Sequence, residues 1–266
     1  MTLKPITARG RLRLDAAGAH PPAKAPSGDK LDREIEDQVG RIAKLQRVFY
    51  ADARYALLIV LQGRDAAGKD GTIRHVFGAV NPQGCRVASF KEPTSLELHH
   101  DYLWRVHQQV PPRGMFGIFN RSHYEDVLVE RVHGTVAPKV WQNRYRQIND
   151  FERMLTENQV IMLKFFLHVS RDEQKRRLQD RLTDPSKNWK FDAGDLEDRR
   201  RWPAYTAAYR DLLRKCSTRW APWYFVPADD KKVRNWLISD VIVRTLEGLD
   251  LRYPKGDRAI LKLKVR

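Results

Sequence analysis

Cysteine is nearly absent: Cys85 and Cys216 are the only two in 266 residues. Two thiols build neither a disulfide framework nor a cysteine metal site, so a reducing compartment, the cytoplasm, is expected. Long apolar runs are lacking too. Ala56 to Leu61 and the stretch around Val160 to Val169 are strand-sized, well short of the roughly 18 residues that suggest a membrane span. No membrane partner is expected. Lys4, Arg9, Arg11 and Arg13 lie near the N-terminus without an apolar segment behind them, so no secretory signal is expected. The eight histidines show no metal-ligand spacing. Acidic residues are in deficit, 33 against 49 Lys and Arg, which leaves +16 at pH 7. Such an excess concentrates polyanions at the surface. By charge alone nucleic acid, membrane surface and polyphosphate would all qualify, so charge does not choose among them.

What is present is enough apolar residue, 42%, for the core of one large domain. Residues 1–30 read as a tail and linker, broken by Pro21, Pro22, Pro26, Ser27 and Gly28. Leu31, Ile35, Val39, Ile42, Leu45 and Phe49 then recur at steps of three and four, the spacing of an amphipathic helix. Residues 31–250 read as the domain itself and 251–266 as a C-terminal tail. Strands are predicted at 56–62, 85–90, 115–120, 159–168 and 223–228. Thr94 with Glu97 and Ser170 with Glu173 have capping-box spacing and open helices between them. Strands without clean alternation, separated by helices, imply an α/β fold with a parallel sheet covered on both faces. Ligands of such sheets bind beyond the carboxyl ends of the strands, and each motif below begins just past a predicted strand end.

The first strand runs into Gly63-Arg64-Asp65-Ala66-Ala67-Gly68-Lys69-Asp70-Gly71-Thr72. Two glycines five apart, followed by Lys at a strand-to-helix junction, match the core of a phosphate loop. Glycine permits the curvature that turns backbone N–H groups inward, and the helix dipole adds positive potential. Lys69 would place a point charge on the transferring phosphates. Asp70 departs from the pattern, since Ser or Thr normally offers a hydroxyl to Mg²⁺ there. Asp65, inside the loop, is the first choice of metal ligand; Glu125 or Asp126 is the second. Arg121 follows a strand end and should face the phosphates. Arg177 and Arg181 are four apart and share a helix face, with the planar fork suited to bidentate phosphate contacts.

Four segments together carry a family resemblance. They are Gly63 to Thr72, then Asn120-Arg121-Ser122-His123-Tyr124-Glu125-Asp126, then Asp184-Pro185-Ser186-Lys187-Asn188-Trp189-Lys190-Phe191, and Ala221-Pro222-Trp223 leading to Val226-Pro227-Ala228-Asp229. In this order they resemble the second family of polyphosphate kinases. The resemblance implies a P-loop kinase fold like that of thymidylate kinase, a five-stranded parallel sheet with a helical lid at about 177–200. It implies reversible transfer of a phosphoryl group from inorganic polyphosphate to AMP, ADP or both, with GMP and GDP as further candidate acceptors, supported by Mg²⁺ or Mn²⁺. Gly63, Ala66, Ala67, Gly68, Lys69, Asp70, Gly71 and Thr72 would cradle phosphate, and Arg177, Arg181, Lys187 and Lys190 would close over it. Many family members have Asp where Asn120 stands; Asn120 with Glu125 resembles the subgroup accepting both nucleoside mono- and diphosphates. A homo-oligomer is left open, and no specific nucleic acid is expected as a partner. An ATP-dependent nucleoside monophosphate kinase also accounts for the sheet, loop and lid, but not for Asp70 or the basic excess. A nucleic-acid-binding protein accounts for the charge, but the chain lacks zinc spacing, RNP-like aromatics and a helix-turn-helix.

Overall fold

The strand Ala56–Gln62 (β1) is apolar from Ala56 to Leu61, ends on Gln62 and is buried at every position, as a strand must be when both faces of its sheet are covered. In the computed structural model, which describes residues 2–7, 10 and 12–256, β1 is the centre of a sheet of five parallel strands. Phe116–Asn120 (β3) and Val160–His168 (β4) flank it; Cys85–Ser89 (β2) and Trp223–Pro227 (β5) lie outside them. Alternate residues of β1 feed two separate cores. Leu58 and Val60 pack with Tyr145, Ile148 and Leu212, while Leu57, Ile59 and Leu61 pack with Phe49, Trp236 and Ile242. The helices Gly28–Asp52, Lys69–Val76 and Lys231–Glu247 therefore cover one face, and Glu125–His133, Pro138–Glu157 and Trp202–Lys215 the other. The connections run from β1 out to β2 and back through β3, then cross to β4 and β5. That reversal puts a crevice at the carboxyl ends of β1, β3 and β4, where ligands of such sheets bind.

Two expectations need correction. The stretch taken for a free tail lies along the β5 edge. Ile6 N–H donates to Trp223 O at 2.7 Å, Pro5 bridges Tyr224, and Leu14 and Ala19 are buried. Pairing with β5 satisfies backbone groups that an open edge would leave exposed. The first long helix starts at Gly28, and its buried stripe runs through Gln38 and Gln46, not Val39. Gln46 Oε1 accepts the Asn81 N–H, so a polar residue occupies an interior position. Residues 257–266 of the expected C-terminal tail lie outside the described residues. No described helix is long and apolar enough to cross a membrane.

Candidate phosphoryl-transfer site

The turn leaving β1 is shaped by what its glycines must avoid. A Cβ on Gly63 would lie 2.6 Å from Leu167 O, and one on Gly68 would lie 2.0 Å from Arg234 Nη1. Gly68 also has φ +105°, a conformation that favours glycine. Between them Ala66 takes φ +60°, a left-handed conformation that costs free energy and is held by its surroundings. Lys69 opens the helix Lys69–Val76, and its buried ammonium donates to Gly63 O at 2.7 Å and Arg64 O at 3.3 Å. Burial lowers its pKa, and Arg121 lowers it further, against the opposing pull of Asp65, Glu125 and Asp70. The ammonium folds back on its own loop, within the same turn that would hold phosphate.

Arg121, the first residue beyond β3, has φ +62° and donates from Nη2 to Asp65 Oδ1 at 2.6 Å. Burial pushes the Asp65 carboxyl up, but Lys69, Arg121 and Arg181 together pull it lower still, so it stays ionised. Glu125 joins the same group, held by Gln62 Nε2. Burial raises its pKa despite Arg121, Gln62 and Lys69. Asp70 projects from the other side of the loop, accepting from Asn120 Nδ2 at 2.7 Å and facing Lys190 Nζ at 4.0 Å. Arg181 donates to Lys190 O and to Asp195 Oδ2, tying the helix Arg171–Thr183 to Gly194–Arg200. The fold thus gathers Asp65, Lys69, Asp70, Asn120, Arg121, Glu125, Arg181 and Lys190 at the strand ends. Cations and carboxylates share one mouth, an arrangement suited to transferring phosphoryl groups by positioning and charge neutralisation.

The sequence profile of polyphosphate kinase 2 matches residues 26–253. The chain belongs to the polyphosphate kinase 2 family. It is 57% identical over 225 residues to an AMP/ADP-polyphosphate phosphotransferase of Meiothermus ruber, covering 85% of this chain and 84% of that protein. It is 46% identical to an ADP-polyphosphate phosphotransferase of Rhodopseudomonas palustris, covering 83% and 81% of the two chains. The crystal structure of polyphosphate kinase 2 from Arthrobacter aurescens superposes with TM-score 0.88 at 41% identity, covering 97% of this chain and 94% of that one. The P-loop kinase fold expected from sequence is the fold observed.

Within this polyphosphate kinase 2 site, several expected residues stand elsewhere. Arg177 faces the back of the loop, not its hollow. Its Nη1 donates to Ala66 O at 2.9 Å and Ala67 O at 3.1 Å, its Nη2 to Ala228 O and Asp229 O, and its Nε to Glu173. Every donor group is engaged, so the side chain holds the loop from behind. Asp126 faces Arg144 and Arg105, with Oδ2 buried and unpartnered. Burial raises its pKa to about 7, against the opposing pull of Arg144 and Arg105. Thr72 is buried, its hydroxyl without a partner. Gly71 lies behind it, where a Cβ would be 3.4 Å from Arg234 Nη2. Lys187 pairs with Asp184 at 2.5 Å, away from the loop.

Three contributors escaped the sequence reading. Gln62, the last residue of β1, is fully buried between Glu125 and Ser122 Oγ. Arg64 lies 3.9 Å over the Trp202 ring and donates to Thr206 Oγ1, anchoring the loop to the helix Trp202–Lys215. Arg234 sits beneath Gly68. Isolated polar residues in apolar segments carry no spacing signal; only Arg234 and Asn235, on the buried side of their helix, stand out among its apolar neighbours.

Proposed function

We propose that this chain transfers the terminal phosphoryl group of inorganic polyphosphate to AMP and ADP, in the cytoplasm, with Mg²⁺. The observation that carries this reading is the convergence of Lys69, Arg121, Arg181 and Lys190, drawn from four separate segments, about Asp65 and Asp70. Spread cations suit a file of phosphates, where a single triphosphate tail needs fewer. The names of the 57% and 46% identical relatives support AMP and ADP as acceptors.

Asp65 and Glu125 would hold the metal. Among the described residues no three His, Cys, Asp or Glu side chains cluster as ligands, and Mg²⁺ in phosphoryl-transfer sites typically takes only one or two carboxylates beside phosphate oxygens. The ionised Asp65 at the loop mouth fits that demand. When bound, the ion would neutralise charge on the phosphate oxygens. Lys69 would swing from the Gly63 carbonyl onto the transferring group, and Arg121 would stabilise the charge gathering there while Asp65 fixes its guanidinium. Arg177 holds the loop, and Arg181 fixes the lid helices. Asn120, together with Glu125, borders the acceptor side and sets selectivity.

The test is to incubate the protein with Mg²⁺, polyphosphate and AMP or ADP, without ATP, and to follow phosphorylated nucleotide. Formation of ADP and ATP is expected. Transfer to AMP from ATP but not from polyphosphate would replace this reading with a nucleoside monophosphate kinase.

A further inference from the structure

Arg234 lies on the helix Lys231–Glu247 and is 2% exposed. Its guanidinium donates from Nη1 to Ala67 O at 3.3 Å, and from Nε and Nη2 to Asn235 Oδ1 at 3.2 and 2.9 Å. No carboxylate pairs with it among the described residues, and a second buried cation, Arg177, acts on it more strongly than Asp230 does. Burial first, and then Arg177, lowers its pKa to about 10, with Asp230 opposing. An unpaired buried cation is costly, and a neutral side chain of equal volume would pack there more favourably. The location gives the cost a purpose. Arg177 Nη1 and Arg234 Nη1 converge on one atom, Ala67 O. In a planar trans peptide the C=O and the next N–H point opposite ways. Pinning Ala67 O on the rear therefore turns the Gly68 N–H to the front, beside the orphan amides of the helix Lys69–Val76. The contact is close enough that only glycine fits at 68.

We propose that Arg234 is a positioning residue of the phosphate loop, orienting the Ala67–Gly68 peptide toward bound phosphate and supplying from behind the loop a positive charge that a bound polyanion balances. The proposal rests on the phosphate-transfer reading above. It implies a trade: Arg234 weakens the empty protein and strengthens the loaded one.

Arg234→Met removes charge and fork at similar length; Arg234→Lys keeps the charge and loses the fork. Each is measured with wild type for melting temperature, with and without polyphosphate and separately ATP, and for kcat and KM. Arg234→Met should melt no lower than wild type when empty, gain less than half of the wild-type rise on adding either ligand, and lose at least about tenfold in kcat. Arg234→Lys should keep most of the ligand-induced rise and still lose kcat. A lower empty melting temperature with an unchanged ligand-induced rise and unchanged KM would make Arg234 a packing residue and overturn the proposal. If the Met variant does not fold, the Lys variant decides: wild-type kcat there overturns it as well. Stabilisation by ATP alone, with no transfer from polyphosphate, would count against the donor and not against Arg234, whose case is read from the ratios of variant to wild type.

Discussion

At Lys69 a buried ammonium has, among the described residues, two backbone carbonyls of its own loop as its hydrogen-bond partners. Charge so held is ready to move onto a phosphate, because preorganised dipoles and cations stabilise a transition state without reorganising at the moment of reaction. Lys69→Ala should therefore lower kcat by about a hundredfold or more, with a cooperative melt near that of wild type; near-normal turnover would dismiss the loop assignment. Asp65→Asn removes the carboxylate that balances both Lys69 and Arg121. The variant should need more Mg²⁺ for half-maximal rate and turn over more slowly, and an unchanged Mg²⁺ titration would shift the ligand to Glu125. Asp126 allows a test without substrate. Its carboxyl, among Arg144, Arg105, Glu130 and Glu125, is raised from 3.8 to about 7. The folded protein therefore holds this proton longer than the unfolded chain does, so the group's contribution to stability is lost as pH rises from about 4 to 7. Asp126→Asn should melt higher than wild type at pH 8, and the advantage should vanish near pH 4. Equal melting temperatures at pH 8 would show that the carboxylate is not destabilised by its burial.

The elements divide into those written in hydropathy and those written in contacts. The five strands were legible to within one residue at either end, because most are predominantly apolar and bounded by turn residues. The lid helix was legible from Ser170, whose Oγ does accept the Glu173 N–H. The N-terminal stretch was not, since its prolines and small residues look like linker until β5 gives them an edge to pair with. The site divided in the same way. Gly63, Gly68 and Lys69 could be read from spacing, whereas Arg177 reads as one more lid arginine although it recognises carbonyls on a loop 110 residues away. No spacing encodes a partner that is a backbone carbonyl brought close by the fold. Within the lid, Lys187 and Lys190 look alike in sequence and differ in place. Lys190 faces Asp70 across the loop mouth, and Lys187 is paired with Asp184 outside it. Lys190→Gln should thus raise the KM for polyphosphate several times more than Lys187→Gln does. Equal effects from the two would mean that the lid closes in a different register from that seen here.

The molecule as a whole carries sixteen more basic than acidic side chains, yet the cations nearest the loop are largely matched. Asp65 meets Arg121, Asp195 meets Arg181, and Asp70 faces Lys190. The carboxylates at the mouth act as stand-ins for a polyanion, keeping charged side chains poised without a ligand. Much of the unmatched charge is spread over the surface, where it steers polyphosphate from a distance and is screened beyond roughly 10 Å at 0.1 M salt. These two populations should separate in a salt titration. Raising salt should weaken polyphosphate capture steeply, because screening abolishes steering and the released counterions cost more to release. AMP, with few charges, should show a much flatter KM against salt. Turnover at saturating polyphosphate should change little, since buried and partly buried charges such as Lys69 and Arg121 are screened far less. Lys190→Gln should flatten the polyphosphate salt dependence by removing a cation proposed to contact the polyphosphate, while neutralising an exposed arginine on the first long helix, such as Arg33, should slow capture at low salt only. If kcat fell with salt as steeply as kcat/KM for polyphosphate, the division between a screened surface and a protected site would be wrong, and the reacting charges would lie in open solvent.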